Sequence, residues 1–256
     1  MLEHENFEKT DFSNMRTGIM AGSPCPVKVM QDVVDKMHMN EITIVYGQTE
    51  SSPGCTQSHV DDPLDVRVNT VGRPLFGVQC KIVDLPDEVD GEFCAKGYNI
   101  MKGYYKMPEA TAAAIDKDGW LHTGDLARRT PEGNFKITGR IKDMIIRGGE
   151  NIYPKEIEDF IYTHPKVRDV QVIGVPDEQY GEEIMAVVIL KEGETSSEEE
   201  IKDYVRTHMA KHKVPRYVSF VKEFPMNAAG KILKYKMRED AVELLKLQKA
   251  NSIVTA

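Results

Sequence analysis

Tyr46, Thr49 and Glu50 fall within the pentapeptide "YGQTE", directly after the β-branched run "EITIV". Ligands of open α/β sheets sit at strand ends. A ring can stack on a base, a hydroxyl can bond a phosphate and a carboxylate can hold Mg²⁺, so this set suits a nucleotide. Alone, the pentapeptide reads as a strand-to-loop turn with ordinary polar residues. Asp125 follows Gly124 in "WLHTGDLA". One carboxylate can accept hydrogen bonds from both hydroxyls of a ribose diol, or it can serve as a turn residue after glycine. Arg140 in "GRIKD" could add a cationic grip on ribose or phosphate, or stand exposed at a strand end. Lys231 follows Gly230 in "NAAGKI". A lysine on a small-residue loop can swing into a site and neutralise a phosphate, although Gly-Lys pairs are frequent in loops. A Walker A loop is excluded, because Ile232 replaces the Ser/Thr and the upstream glycine spacing is missing.

Two further patterns invite chemistry. In "IRGGENIYP", Gly148 and Gly149 imply a tight turn or a close backbone approach to a ligand. His208 and His212 lie four apart on an expected helix, a spacing that can hold zinc. Met209-Ala210 breaks the H-E-x-x-H pattern and Lys211 and Lys213 surround the pair, so a solvated face is the better reading.

The elements that must position these residues alternate without repeats. Ser23 reads as an N-cap and Pro24 as the first residue of a helix whose apolar stripe is Val27, Met30, Val34 and Met37. Residues 41–47 read as a strand. From about 68 to 139, short strands broken by Pro, Asp and Gly imply an antiparallel, barrel-like region. After Arg140 the pattern predicts a strand, the glycine loop, a helix over 154–164, strands at 167–175 and 184–191, a helix and a strand at 217–222. Ser196 and Ser197, each three residues before a Glu, offer capping boxes for the helix carrying Ile201, Tyr204, Val205 and Met209. The expected fold class is α/β plus α+β, with domains over 1–140 and 141–256.

Composition narrows the classes. At 41% hydrophobic and 29% charged the chain is globular rather than disordered. A net charge of −8 argues against a general nucleic-acid partner, which needs a basic surface. Cys25, Cys55, Cys80 and Cys94 show no C-x-x-C spacing. They fit reduced thiols in a cytosol-like compartment better than a disulfide framework or a zinc site, and the expected location is cytoplasmic, or mitochondrial for a eukaryotic parent. The apolar run Ile184–Leu190 is too short for a membrane span.

In order, "MAGSP", "YGQTE", "GEFCAKGYNIMKGYY", "WLHTGDL", "GRIKDMIIRGGENIYPKEIE" and "NAAGKILK" resemble the motifs of the acyl-adenylate-forming enzymes. Within that superfamily the chain is most similar to fatty acyl-CoA synthetases of the medium-chain type, and the resemblance runs through almost all of it. The resemblance implies a two-step reaction: a carboxylic acid attacks the α-phosphate of ATP to give acyl-AMP and pyrophosphate, and CoA then takes the acyl group. It implies the C-terminal part of the large N-domain, with its β/α segment and β-barrel subdomain, followed by a small mobile C-terminal domain.

Carried over by motif, Gly22, Ser23 and Pro24 would line the adenine pocket, with Tyr46 and the adjoining Gly47 against the base. Thr49 would bond the α-phosphate and Glu50 would ligate Mg²⁺. Asp125 and Arg140 would hold the ribose. Lys142 would be the hinge of the C-terminal domain, and Lys231 would reach the α-phosphate and substrate carboxylate during adenylation. Gly148 and Gly149 would line the CoA pantetheine tunnel once that domain rotates.

The chain departs from the family pattern upstream. These enzymes carry a Ser/Thr/Gly-rich phosphate loop well before "YGQTE", and no segment before Met15 resembles one. The expectation is a C-terminal half, inactive alone, in which a cut parallel sheet would leave an exposed edge while the block after Arg140 could fold by itself. Two alternatives stand beside a fatty acid–CoA ligase. One is another acyl-adenylate former, such as an aryl-CoA or carrier-protein-loading enzyme. The other is a non-catalytic nucleotide-binding or interaction fragment.

Overall fold

β1 (Thr17–Met20) and β2 (Glu41–Tyr46) run parallel, with Met20 opposite Ile44. A parallel pair needs a crossover, and α1 (Val27–Met37) supplies it. These elements come from a computed structural model that describes residues 2, 4–22, 25, 27–84, 90–228 and 230–247. The chain divides into two units, residues 1–138 and 139–256.

In the first unit α1 buries Met30, Val33 and Met37 against Ile42 and Ile44 of β2. The stripe expected from sequence is therefore corrected by one position. Val27, in the first turn, is exposed and Val34 only half-buried, and Val33 takes the core position between Met30 and Met37. Ser23 and Pro24, expected as cap and first helical residue, lie outside the described residues. β3 (Thr56–Gln57) and β4 (Arg73–Pro74) complete a four-stranded sheet in the order β1-β2-β3-β4. Buried Arg67, on α2 (Leu64–Asn69), donates to the carbonyls of Asn40 and Ile42 at 2.9 and 2.7 Å, tying that helix to β2.

The region expected to be barrel-like holds β5 (Val78–Val83), β6 (Gly91–Gly97), β7 (Leu121–Arg129) and β8 (Phe135–Arg140), hydrogen-bonded in that order. β6 is antiparallel to both β5 and β7. The short helix α3 (Pro108–Ala114) lies between β6 and β7. Backbone hydrogen bonds from Val71 to Phe135 and from Phe135 to Gly72, each 2.8 Å, join β8 to the segment that enters β4. Phe93 is fully buried between the rings of Tyr46 and Phe135, edge-on to both at 5.0 and 5.1 Å, an arrangement aromatic quadrupoles favour.

The second unit is built on the long antiparallel pair β11 (Val167–Asp177) and β12 (Gly181–Leu190). β9 (Ile145–Arg147), β10 (Glu150–Ile152) and β13 (Tyr217–Phe220) extend it, β13 parallel to β12. Both faces of β12 are covered, which is why its apolar run is continuous rather than alternating. Ile184, Ala186 and Val188 meet Ile157 and Ile161 of α4 (Pro154–Tyr162) and Ile201 and Val205 of α5 (Glu198–Arg206). Met185, Val187 and Ile189 meet Met237 and Ala241 of α6 (Lys234–Leu244).

Ser197 caps α5, its hydroxyl accepting the Glu200 N–H at 3.2 Å. Ser196 does not cap but donates to the Glu200 carboxylate at 2.9 Å. Because α5 ends at Arg206, His208 and His212 do not share a helix. His208 is exposed beyond its end and His212 sits in the 3₁₀ turn Lys211–Lys213.

Candidate functional site

The parallel pair has its C-terminal ends at Met20 and Tyr46, and Gly22 and the "YGQTE" segment leave the sheet there. Gly22 has φ +87°, a left-handed conformation that suits glycine. Gly47 is held against the following turn, where a Cβ would fall 1.8 Å from the Pro53 carbonyl oxygen. Glycine is therefore required by close approach. Gln48 and Ser51 close the 3₁₀ turn Thr49–Ser51 reciprocally, Ser51 Oγ accepting the Gln48 N–H at 2.9 Å.

β7 brings Asp125 to the same place. The Tyr46 hydroxyl donates to Asp125 Oδ2 at 2.8 Å, and Gln48 Nε2 donates to that oxygen at 3.1 Å and to the Thr123 carbonyl at 2.8 Å. Asp125 is only 4% exposed. Burial, and next the Asp125 carboxylate, push the Tyr46 phenol well above its ordinary value, so it remains a donor. Thr49 is exposed in the next turn. Glu50, half-buried, accepts from the Tyr104 hydroxyl at 2.8 Å, a bond that raises the Tyr104 phenol in turn. Asn99 Nδ2 fixes the loop by donating to the carbonyls of Ser51 and Gly54 at 3.0 and 2.7 Å.

The second unit holds the remaining candidates. Arg140, at the end of β8, is half-buried, and Lys142 is exposed in the 3₁₀ turn Ile141–Asp143. Gly148 and Gly149, expected between a strand and a helix, form the two-residue turn of the β9–β10 hairpin. Arg147 pairs with Glu150, and φ is +59° and +88° at the two glycines, the pattern of a type I′ turn. Both glycines are exposed. Lys231 is exposed beside the Met226–Ile232 bridge that closes a loop, where its N–H donates to Asn227 Oδ1 at 2.9 Å.

Residues 1–105 match the sequence model of the AMP-binding enzymes, and residues 156–231 match that of the AMP-binding enzyme C-terminal domain. The chain belongs to the AMP-binding enzyme family. It is 52% identical over 252 residues to the putative acyl-CoA synthetase YngI of Bacillus subtilis, covering 96% of this chain and 46% of that protein. It is 42% identical over 253 residues to the mitochondrial medium-chain acyl-CoA ligase ACSF2 of Bos taurus, covering 96% and 41%. Among solved structures, ATP-bound MatB from Rhodopseudomonas palustris superposes with a TM-score of 0.79 at 35% identity, covering 87% of this chain and 44% of that one. The chain thus spans less than half the length of these relatives.

Sequence reasoning passed over three residues that the structure brings to these candidates. Gln48 lay inside the quoted pentapeptide without a role. Tyr104, in "GYY", and Asn99, in "GYN", reach it only through tertiary contacts, and no local spacing signals them.

Proposed function

We propose that this chain is the nucleotide-handling and C-terminal part of an ATP-dependent fatty acyl-CoA synthetase that works through an acyl-AMP. The observation that carries the reading is the Tyr46–Asp125 hydrogen bond. It places an aromatic ring and a buried carboxylate together beside the C-terminal ends of a parallel strand pair, where such folds bind nucleotides.

In this reading Gly22, Ser23, Pro24 and Gly47 shape the adenine pocket and Tyr46 lies against the base. Asp125 and Arg140 hold the ribose hydroxyls. Thr49 bonds the α-phosphate. Mg²⁺ is bound through one or two carboxylates together with phosphate oxygens, and Glu50, held by Tyr104, fits that donor set. Lys231, on its exposed loop, stabilises the charge that develops as two anions meet. Lys142 is the hinge that delivers Lys231 for adenylation and withdraws it for thioester formation, and Gly148-Gly149 then faces the CoA arm. The matches to an acyl-CoA synthetase and a medium-chain ligase support the acyl-CoA product and a fatty acyl substrate.

Calorimetric titration of the chain with AMP tests the reading. Asp125→Ala, which removes a charge-assisted acceptor, is expected to weaken AMP about 10- to 100-fold while the fold melts cooperatively. Unchanged AMP affinity in a folded variant overturns the ribose assignment. In the longer enzyme, turnover of aryl but not fatty carboxylates would place it with another branch of acyl-adenylate formers.

A further inference from the structure

Glu92 and Cys94 of β6 face β7, where His122 is the register partner of Cys94. A carboxylate oxygen, the thiol sulfur and a ring nitrogen from the three residues lie within 4.8 Å of one another. Cys94 Sγ is 3.5 Å from His122 Nδ1, and Glu92 Oε2 is 2.7 Å from the same nitrogen. In a tetrahedral zinc site with Zn–S of about 2.3 Å and Zn–N of about 2.0 Å, sulfur and nitrogen stand about 3.5 Å apart. The Cys94–His122 edge already has that length. The Glu92–His122 pair, now a hydrogen bond, needs to open by roughly 0.6 Å to become the second edge.

A second observation comes from the far side of the ring. Asp116 Oδ2 lies 3.6 Å from His122 Nε2. Metal-bound histidines commonly direct their other nitrogen to a carboxylate in this way. Charge agrees as well: a dication with one thiolate, one carboxylate and a neutral imidazole is a neutral set. Cys94 is fully buried, while His122 and Asp116 keep 30% of their side-chain surface exposed, which leaves a solvent side for entry and for a water ligand.

We propose that Glu92, Cys94 and His122 bind a zinc-class dication, with water as the fourth ligand and Asp116 orienting the imidazole from outside. Mixed thiolate, imidazole and carboxylate donors favour this class over Mg²⁺ or Ca²⁺. Burial first, and then Glu92, push the Cys94 thiol up to about 12. Metal binding therefore releases the thiol proton and any proton on Nδ1. Glu92 Oε1 also accepts the Gly124 N–H at 2.9 Å, so an occupied site would brace the strand that carries Asp125. The proposal does not depend on the reaction proposed above.

The test is a titration of the metal-free, full 256-residue chain with Co²⁺, followed by near-ultraviolet absorption, with Zn²⁺ as competitor. The expected result is a thiolate-to-cobalt charge-transfer band that saturates at one ion, is bleached by Zn²⁺, and is absent in Cys94→Ser. Cys25→Ser should keep the band. Asp116→Asn should weaken Co²⁺ about 10- to 100-fold without moving the band. If Cys94→Ser fails to fold, His122→Asn carries the same test, since its side chain is partly exposed. The absence of any band in the wild-type chain, or a band that survives in Cys94→Ser, overturns the site.

Discussion

Tyr46 and Asp125, 79 positions apart, are joined by a 2.8 Å hydrogen bond from phenol to carboxylate. The two had been expected to grip different parts of a nucleotide, and the contact makes them one unit. Phe93 braces the ring edge-on and Gln48 donates to the same carboxylate oxygen. A buried carboxylate is stable only when such donors replace water, so these bonds hold the Asp125 side chain in place.

Tyr46→Phe removes one donor from that carboxylate and keeps the ring. The expected cost is about 1–3 kcal/mol of folding stability, read by urea denaturation. AMP affinity should fall less than in Asp125→Ala. A variant as stable as the wild type would mean that the hydrogen bond contributes nothing net.

Gly47→Ala and Gly149→Ala separate close approach from backbone conformation. At Gly47 an added Cβ meets a backbone oxygen at 1.8 Å, an overlap that only a shift of the turn relieves. At Gly149 an added Cβ meets no atom within 4 Å, but φ is +88°, which costs roughly 1–2 kcal/mol for a non-glycine residue. Thermal melts should show the larger loss for Gly47→Ala, and the reverse order would contradict the geometry.

Asp169 gives a pH signature. Burial is the main influence on its carboxyl and raises it above 3.8, with Glu158 adding to the rise against Val170 N–H and Arg168. Below about pH 3.8 the group is protonated in both states, and Asp169→Asn changes little. As pH rises through the raised value, the folded state must carry a partly buried charge and stability is lost. The variant is therefore expected to match the wild-type Tm at about pH 3.5 and to exceed it at pH 7, and it keeps the bond to Val170. A gain confined to acid pH would reverse the sign and refute the cause.

Strong local signals carried much of the fold. The run "EITIVY" is strand β2, and Ser197 is an N-cap. What failed was short or tertiary. β9 and β10 have three residues each, too few for a period-two pattern, so the hairpin around Gly148-Gly149 was hidden and the glycines looked like a strand-to-helix loop. α6 offers only Met237 and Ala241 as buried residues and exposes Tyr235 and Leu244, so no apolar stripe announced it. Among the candidates, residue types and order pointed to Tyr46 and Asp125, but their pairing depends on β7 reaching β2, and Gln48, Asn99 and Tyr104 join them only through such contacts.

The most direct test of the account is to follow the two half-reactions separately in Lys231→Ala, with the chain extended upstream by the corresponding half of a matched relative such as the Bacillus subtilis protein. The account predicts that ATP–pyrophosphate exchange with a medium-chain fatty acid falls by about 10²-fold or more, while thioester formation from supplied acyl-AMP stays within a few-fold of the unsubstituted protein. Equal loss of both half-reactions, or loss of neither, would contradict the role given to Lys231 and the acyl-adenylate route with it.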